Sequence, residues 1–457
     1  MDDDERGWWE STTRRTRSVL KLAAATMHTY VYVHAGAPDL PSSTVKCQKP
    51  SISMHTFQLV GITELNDYPA AQAHDYPAAQ AQAMFPSLVA STASVDWLAI
   101  RNATLATVWD GALPTKDKPD AIKPTTTPGI TELTWTMKDP NFYLNSTVYH
   151  AVRHPNLQDI GTVVIMHHGH AKACDVTLPE NTCKDPTRSW YDYYNLTDYL
   201  HQDLNVDFYT VYMPLYGPNA QPGLPSDHSW FERWEAKGVK TMRFFLEPVI
   251  LTINLALRSG YTNVVMMGKS GGGWTTTVAA ALDPRISFSA PIAGSIPLTF
   301  PHKSWDFEQQ PRPSEGAGWY LGDCNYTCLY TLAALEPRRN SLQMLHENDP
   351  CCYYGKGRHA GIMEYDANVS AALVATGAAH GGFSTVVSNW NVHAVCQMDR
   401  LLLKTALGRV DADPSNVSFG AMACDMLRGE NLTCPIPAAK RGASAPSRRR
   451  GIRIITK

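Results

Sequence analysis

The chain has 457 residues, 44% hydrophobic and 18% charged, with a formal net charge of −2. That is ample apolar material for one large core, so one or two domains are expected. A balance so close to neutral creates no field that would gather nucleic acid or an anionic membrane surface. It excludes a polyanion binder and favours a small neutral substrate.

Residues 1–90 are expected to be irregular. Arg14, Arg15 and Arg17 precede a mildly apolar stretch from Ser18 to Ala37 that Lys21 and His28 interrupt, which reads as a degraded signal region. A short unit, DYPAAQAH then DYPAAQAQ, repeats in tandem from Asp67 to Gln82. Two copies are too few for a solenoid and read as a flexible linker. The regular part of the chain is 91–436. Residues 437–457, with Arg448, Arg449, Arg450 and Arg453 among Ser, Ala and Gly, read as a solvated tail. No run reaches the roughly 18 to 20 apolar residues that span a bilayer, so no integral membrane segment is expected.

Within the regular part, apolar or β-branched runs recur at Thr162 to Met166, Val206 to Met213, Val264 to Met267, Ile286 to Ala290, Leu342 to Leu345 and Phe383 to Val387. Uninterrupted runs of this kind are what strands buried on both faces look like. Phe244 to Leu257 is helical in pattern, with Arg258 in its last turn and Gly260 as a stop. Strand and helix in alternation imply an α/β architecture, a mostly parallel sheet flanked by helices. The regions Leu215 to Trp234 and Leu298 to Cys328 are rich in Pro, Gly and aromatics and read as irregular cap insertions. Trp230, Trp234, Trp305 and Trp319 could line a pocket there or belong to the core.

The decisive segment is VVMMGKSGGGWTTTVAAAL, Val264 to Leu282. An apolar strand runs directly into Gly268-Lys269-Ser270-Gly271-Gly272, and a small-residue helix follows until Asp283-Pro284. This is the G-x-S-x-G nucleophile elbow in its strand, turn, helix context. The turn must be tight for the serine oxygen to project above the sheet, and glycines on either side keep β-carbons out of the crowded backbone. Gly268-Lys269-Ser270 also imitates the end of a phosphate-binding loop. Asn263 stands where that motif needs a glycine, and the strand abuts Gly268 with no room for a cradle.

On these residues the chain resembles the α/β-hydrolase superfamily over roughly residues 131–407, and MPLYGPN, Met213 to Asn219, is similar to a stretch of dienelactone-hydrolase-like and acetyl-xylan-esterase-like members. The resemblance implies the α/β-hydrolase fold and a serine hydrolase with its partners in the chain order Ser, acid, His. Ser270 is then the nucleophile, Asp349 the acid just beyond a strand, and His393 the general base between the last strand and a helix. The backbone N–H groups of Gly271 and of His170, in the HHGH loop with His168 and Gly169 as neighbours, would form the oxyanion hole. His380 in GAAHGGF rivals His393, while Asp306, Glu308 and Glu347 rival Asp349. The expected substrate is a small-molecule carboxylic ester; a serine peptidase of the same fold or a non-catalytic secreted binding module are the alternatives.

His167, His168 and His170 could be weighed as metal ligands, but adjacent residues at a strand end point to opposite sides, so neither a metal nor another cofactor is expected. Lys269 occupies the elbow's x position, where its stem covers apolar surface or its ammonium faces the pocket.

The ten cysteines include close pairs: Cys174 with Cys183, Cys324 with Cys328, Cys351 beside Cys352, and Cys424 with Cys434. Asn-x-Ser/Thr sequons occur at Asn102, Asn145, Asn195, Asn325, Asn368, Asn416 and Asn431. Together they point to a secreted glycoprotein or a resident of the secretory lumen.

Overall fold

A computed structural model of the chain describes residues 31–33, 95–139, 142–152, 161–170, 200, 206–221, 224, 228–297, 308, 324–346, 349, 359–388, 393, 395, 399 and 403. Its centre is one sheet. The strands are β1 (Val31–Val33), β2 (Ala121–Pro124), β3 (Ile130–Asp139), β4 (Phe142–Ala151), β5 (Thr162–His167), β6 (Asp207–Val211), β7 (Asn263–Lys269), β8 (Ile286–Ile292), β9 (Asn340–His346) and β10 (Gly382–Ser388). They lie in the order β1-β10-β9-β8-β7-β5-β6-β4-β3-β2. The helices are α1 (Trp97–Val108), α2 (Trp230–Glu235), α3 (Met242–Arg258), α4 (Gly271–Leu282), α5 (Tyr326–Ala333) and α6 (His359–Ala375).

The residue patterns explain the two kinds of strand. Along β4, Leu144, Ser146 and Val148 are buried while Tyr143 and Asn145 face out, the alternation of a sheet with one wet face. β2, β3 and β4 form that part, antiparallel to one another, and β4 is also antiparallel to β6. Every residue of β5, β6 and β9 is buried, as covering on both faces requires. The strands from β5 to β10 run parallel. From β3 to β10 this is the order of the α/β-hydrolase fold, with β4 as its antiparallel second strand. Each expected strand run is found: β7, β9 and β10 extend beyond it at both ends and β5 and β8 at the carboxyl end, while β6 is shorter than the expected Val206 to Met213 at both ends. The antiparallel meander and α1, which stand outside those runs, complete the domain.

The core packs α3 and α4 on the sheet through Phe244, Phe245, Val249, Trp274 and Trp135. Trp234 belongs to this core, its ring 3.9 Å from that of Phe142, while Trp230 is half-buried beneath Arg233. Trp305 and Trp319 lie outside the described residues. At the amino-terminal end of β9, Arg101 of α1 donates to the carbonyls of Ala281 and Leu332 and pairs with Glu336, which Arg339 also engages. Buried guanidiniums that satisfy helix-end carbonyls tie α1, α4 and α5 together.

Cys324 and Cys328 form a disulfide; the other close cysteine pairs lie outside the described residues. Asn102 and Asn145 are exposed and Asn368 is half-buried. Asn325 is 5% exposed and caps α5 by accepting from the Cys328 N–H, a side chain already engaged in the fold. Asn195, Asn416 and Asn431 lie outside the described residues. No helix among the described residues is long and apolar enough to cross a membrane.

Candidate active site

The chain runs from β5 to β6 on one side, then returns to place β7 on the other side of β5. Loops leaving the carboxyl ends of β5 and β7 therefore diverge, and an open α/β sheet forms its ligand crevice at such a point. The carboxyl ends of β5, β6, β7, β9 and β10 deliver His168–His170, Met213–Tyr216, Ser270, Asp349 and His393 to this edge.

Ser270 sits between β7 and α4 with φ 58° and ψ −129°, a conformation that costs a non-glycine residue on the order of 1–3 kcal/mol. The surroundings hold it there. Its N–H donates to the Ile292 carbonyl of β8 (2.9 Å), and its carbonyl accepts from Trp274 in the first turn of α4 (2.9 Å). Glycine is obligatory on both sides: a β-carbon at Gly272 would collide with the His167 carbonyl, and one at Gly268 with the Gly272 carbonyl. The β5 loop presses equally close, since a β-carbon at Gly169 would stand 3.0 Å from Ser270 Cβ and 3.0 Å from the Gly271 nitrogen.

His393 Nδ1 lies 2.7 Å from Asp349 Oδ2, with Asp349 wholly buried. A carboxylate at that nitrogen makes Nδ1 the donor and leaves the lone pair on Nε2, which is itself buried with no hydrogen-bond partner. Burial lowers the pKa of His393, as does the nearby charge of Lys269, while Asp349 works against both. The imidazole is thus a neutral base at neutral pH. The ammonium of Lys269 acts on the catalytic edge, and Lys269 itself is half-buried. His346, at the end of β9, lies 3.6 Å from Asp399 and adds its own charge against His393.

His380 does not reach this edge. It precedes β10, with Nδ1 on the Gly381 carbonyl (2.7 Å), at the opposite end of a strand that spans roughly 20 Å. Its candidacy as the base is corrected by strand direction alone. Asp306 and Glu347 lie outside the described residues.

The three histidines after β5 separate as their alternation requires. His167 is buried, bonded to the His168 carbonyl, and pushed down to about 3 by burial. His168 stacks on Tyr212. His170 lies over the elbow, its Cε1 2.9 Å from where a Gly271 β-carbon would be, and Met213 Cε is 2.7 Å from the same point. From there its Nε2 reaches His228 Nδ1 (3.2 Å) and Glu308 Oε1 (3.1 Å), and His228 Nδ1 lies 2.9 Å from Glu308 Oε2. Burial alone would raise Glu308, but the two imidazoles outweigh it and hold the carboxyl well below the usual range. So Glu308, a rival acid by sequence, faces His170 and His228 and not His393. His228 went unnoticed in sequence because nothing local marks it.

MPLYGPN forms the adjoining wall. Leu215 has φ 63°, and Asn219 holds the loop by donating to the carbonyls of Tyr212 and Met213 and accepting from Thr147 N–H.

No family model matches the chain, and no curated protein matches it. Solved structures that resemble it include the methylesterase BT1017 (14% identity, 75% of this chain and 72% of that one, TM-score 0.46). Others are an acetyl xylan esterase from Paenibacillus sp. R4 (12%, 74% and 100%, 0.43) and a CE15 glucuronoyl esterase from Teredinibacter turnerae T7901 (15%, 76% and 93%, 0.41). At identities and TM-scores this low, no activity transfers from them.

Proposed function

We propose that the protein hydrolyses carboxylic esters through an acyl-enzyme on Ser270. The observation that carries this reading is the buried His393–Asp349 pair, which leaves Nε2 unpartnered and stands after the carboxyl ends of the same parallel strands as a serine held in the elbow conformation. In the proposed cycle His393 Nε2 takes the Ser270 proton as the oxygen attacks the ester carbonyl. Asp349 keeps the proton on Nδ1 and stabilises the imidazolium that forms. The oxyanion is received by the N–H groups of Gly271, at the start of α4, and His170, with the helix N-terminus adding favourable field. His393 then protonates the leaving alcohol, and water repeats the sequence on the acyl-enzyme.

The close approach of Met213 and His170 above Gly271 favours acyl groups of small or medium size. The near-neutral chain gives no reason for a polyanionic substrate.

A fluorophosphonate probe tests the assignment. It is expected to label Ser270, with labelling and turnover of p-nitrophenyl acetate both lost in Ser270→Ala and the fold retained by circular dichroism. Modification of a different serine would place the nucleophile elsewhere. An unlabelled, folded wild-type protein would favour the non-catalytic module.

A further inference from the structure

We infer that His170, His228 and Glu308 form a binding site for one divalent transition-metal ion of zinc's chemistry, directly behind the loop that carries the proposed oxyanion donor. The three side chains come from different segments: the loop after β5, the turn before α2, and the stretch after β8. Their ligand atoms lie within 4.8 Å of one another, with His228 and Glu308 buried and His170 partly so.

Hydrogen-bond accounting points to a cation. His228 Nε2 lies 2.8 Å from the Pro214 carbonyl, which can only accept, so Nε2 carries a proton and the second ring nitrogen, Nδ1, is the one that can offer a lone pair to a metal. That lone pair faces Glu308 Oε2 at 2.9 Å and His170 Nε2 at 3.2 Å. A proton on His170 Nε2 can serve only one neighbour. Glu308 Oε1 is buried 3.1 Å from that nitrogen and draws on the same proton. A second proton on His228 would serve Glu308 Oε2 and leave the His170 proton for Oε1, whereas one metal ion engages both nitrogens and the carboxylate at once.

The spacing fits as well. With metal–donor bonds of about 2.0–2.1 Å, the donors of a tetrahedral zinc site stand about 3.3 Å apart; here the two imidazole nitrogens are 3.2 Å apart, one carboxylate oxygen is 2.9 Å from His228 Nδ1 and the other is 3.1 Å from His170 Nε2, so the carboxylate reaches each ring with a different oxygen. A ligating imidazole whose other nitrogen donates to a backbone carbonyl is the usual way such a ring is oriented, and His228 has that arrangement. Two imidazoles and one carboxylate suit zinc's borderline character and leave a fourth position for water. Such an ion would fix His170 over Gly271 and so stiffen the loop. Metal binding at residues 58 and 80 positions apart is not what the HHGH run by itself suggests.

The full-length protein, purified without chelators, is expected to retain about one zinc per chain by plasma mass spectrometry. The chelator-stripped protein should take up one Co²⁺ with visible bands of tetrahedral geometry and two histidine scatterers in X-ray absorption. His228→Ala should weaken zinc binding, measured by competition with a chromophoric chelator, on the order of 100-fold or more. If that variant fails to fold, the stoichiometry and cobalt spectrum of the wild type still decide. Stripped wild-type protein that binds no zinc, or His228→Ala that binds it as tightly, would overturn the inference. Fluorophosphonate labelling of Ser270 in the same samples keeps the two readings apart, because metal-free protein that still labels leaves the esterase reading standing.

Discussion

Replacing Asp349 by asparagine changes one atom's charge and little of the shape, yet on this structure it should cripple turnover. The carboxylate is fully buried and 2.7 Å from His393 Nδ1. When the imidazole becomes charged during the reaction, the two charge centres lie about 4 Å apart, which at an effective dielectric of about 20 is worth about 4 kcal/mol. At 1.36 kcal/mol per decade that corresponds to about a thousandfold in rate. Asparagine adds a second fault, because its amide nitrogen can donate to Nδ1 and move the proton to Nε2, where a base must have none. The expected loss in kcat/KM is therefore roughly 10³ to 10⁴. Steady-state hydrolysis of p-nitrophenyl acetate measures it, with circular dichroism to check the fold. A folded Asp349→Asn enzyme within about tenfold of wild type would refute the reasoning.

Lys269 bears on the same base through charge, so Lys269→Met should raise the pKa of His393 and move the acid limb of the kcat/KM profile to higher pH; an unmoved limb would mean its ammonium points away. His167 and His150 are held to about 3 and about 4 by burial. Each is neutral when folded yet protonated when unfolded below about pH 6.5, costing roughly 1.4 kcal/mol per pH unit there. Asp366, pushed up to about 7 by burial, works in the opposite sense over the same range, leaving a net loss of roughly 1.4 kcal/mol per unit. Melting temperature should accordingly fall from pH 6.5 to pH 4.5, and an equal or higher value at pH 4.5 would contradict this. Arg101→Met leaves Glu336 with Arg339 alone among the described residues as its partner and takes the guanidinium donor from the Ala281 carbonyl, while Leu332 keeps Arg339. A loss of about 3 kcal/mol in urea unfolding is expected, and a change below about 0.5 kcal/mol would show the network to be idle.

The elbow and the parallel strands were legible in the chain because their causes are local. A strand buried on both faces must be apolar throughout, as Thr162 to Met166 is, and a turn too tight for β-carbons must carry glycines around Ser270. Helix α1 and the meander β2 to β4 were less visible: they mix Thr, Glu and exposed apolar residues such as Leu98 and Ile122, and only packing against α3 and α4 tells which face is buried. The partners of the site belong wholly to tertiary structure. His393 meets Asp349 across 44 residues, His170 meets His228 across 58, and Arg101 meets Glu336 across 235. Spacing along the chain carries no trace of such meetings; chain order favoured His393 and Asp349 but left His380 and Glu308 as rivals. Strand direction settles the first pair, since parallel strands bring every carboxyl end to one edge, with His393 on it, and leave His380 at the other; the second is settled by partners, since Asp349 meets His393 and Glu308 meets His170 and His228.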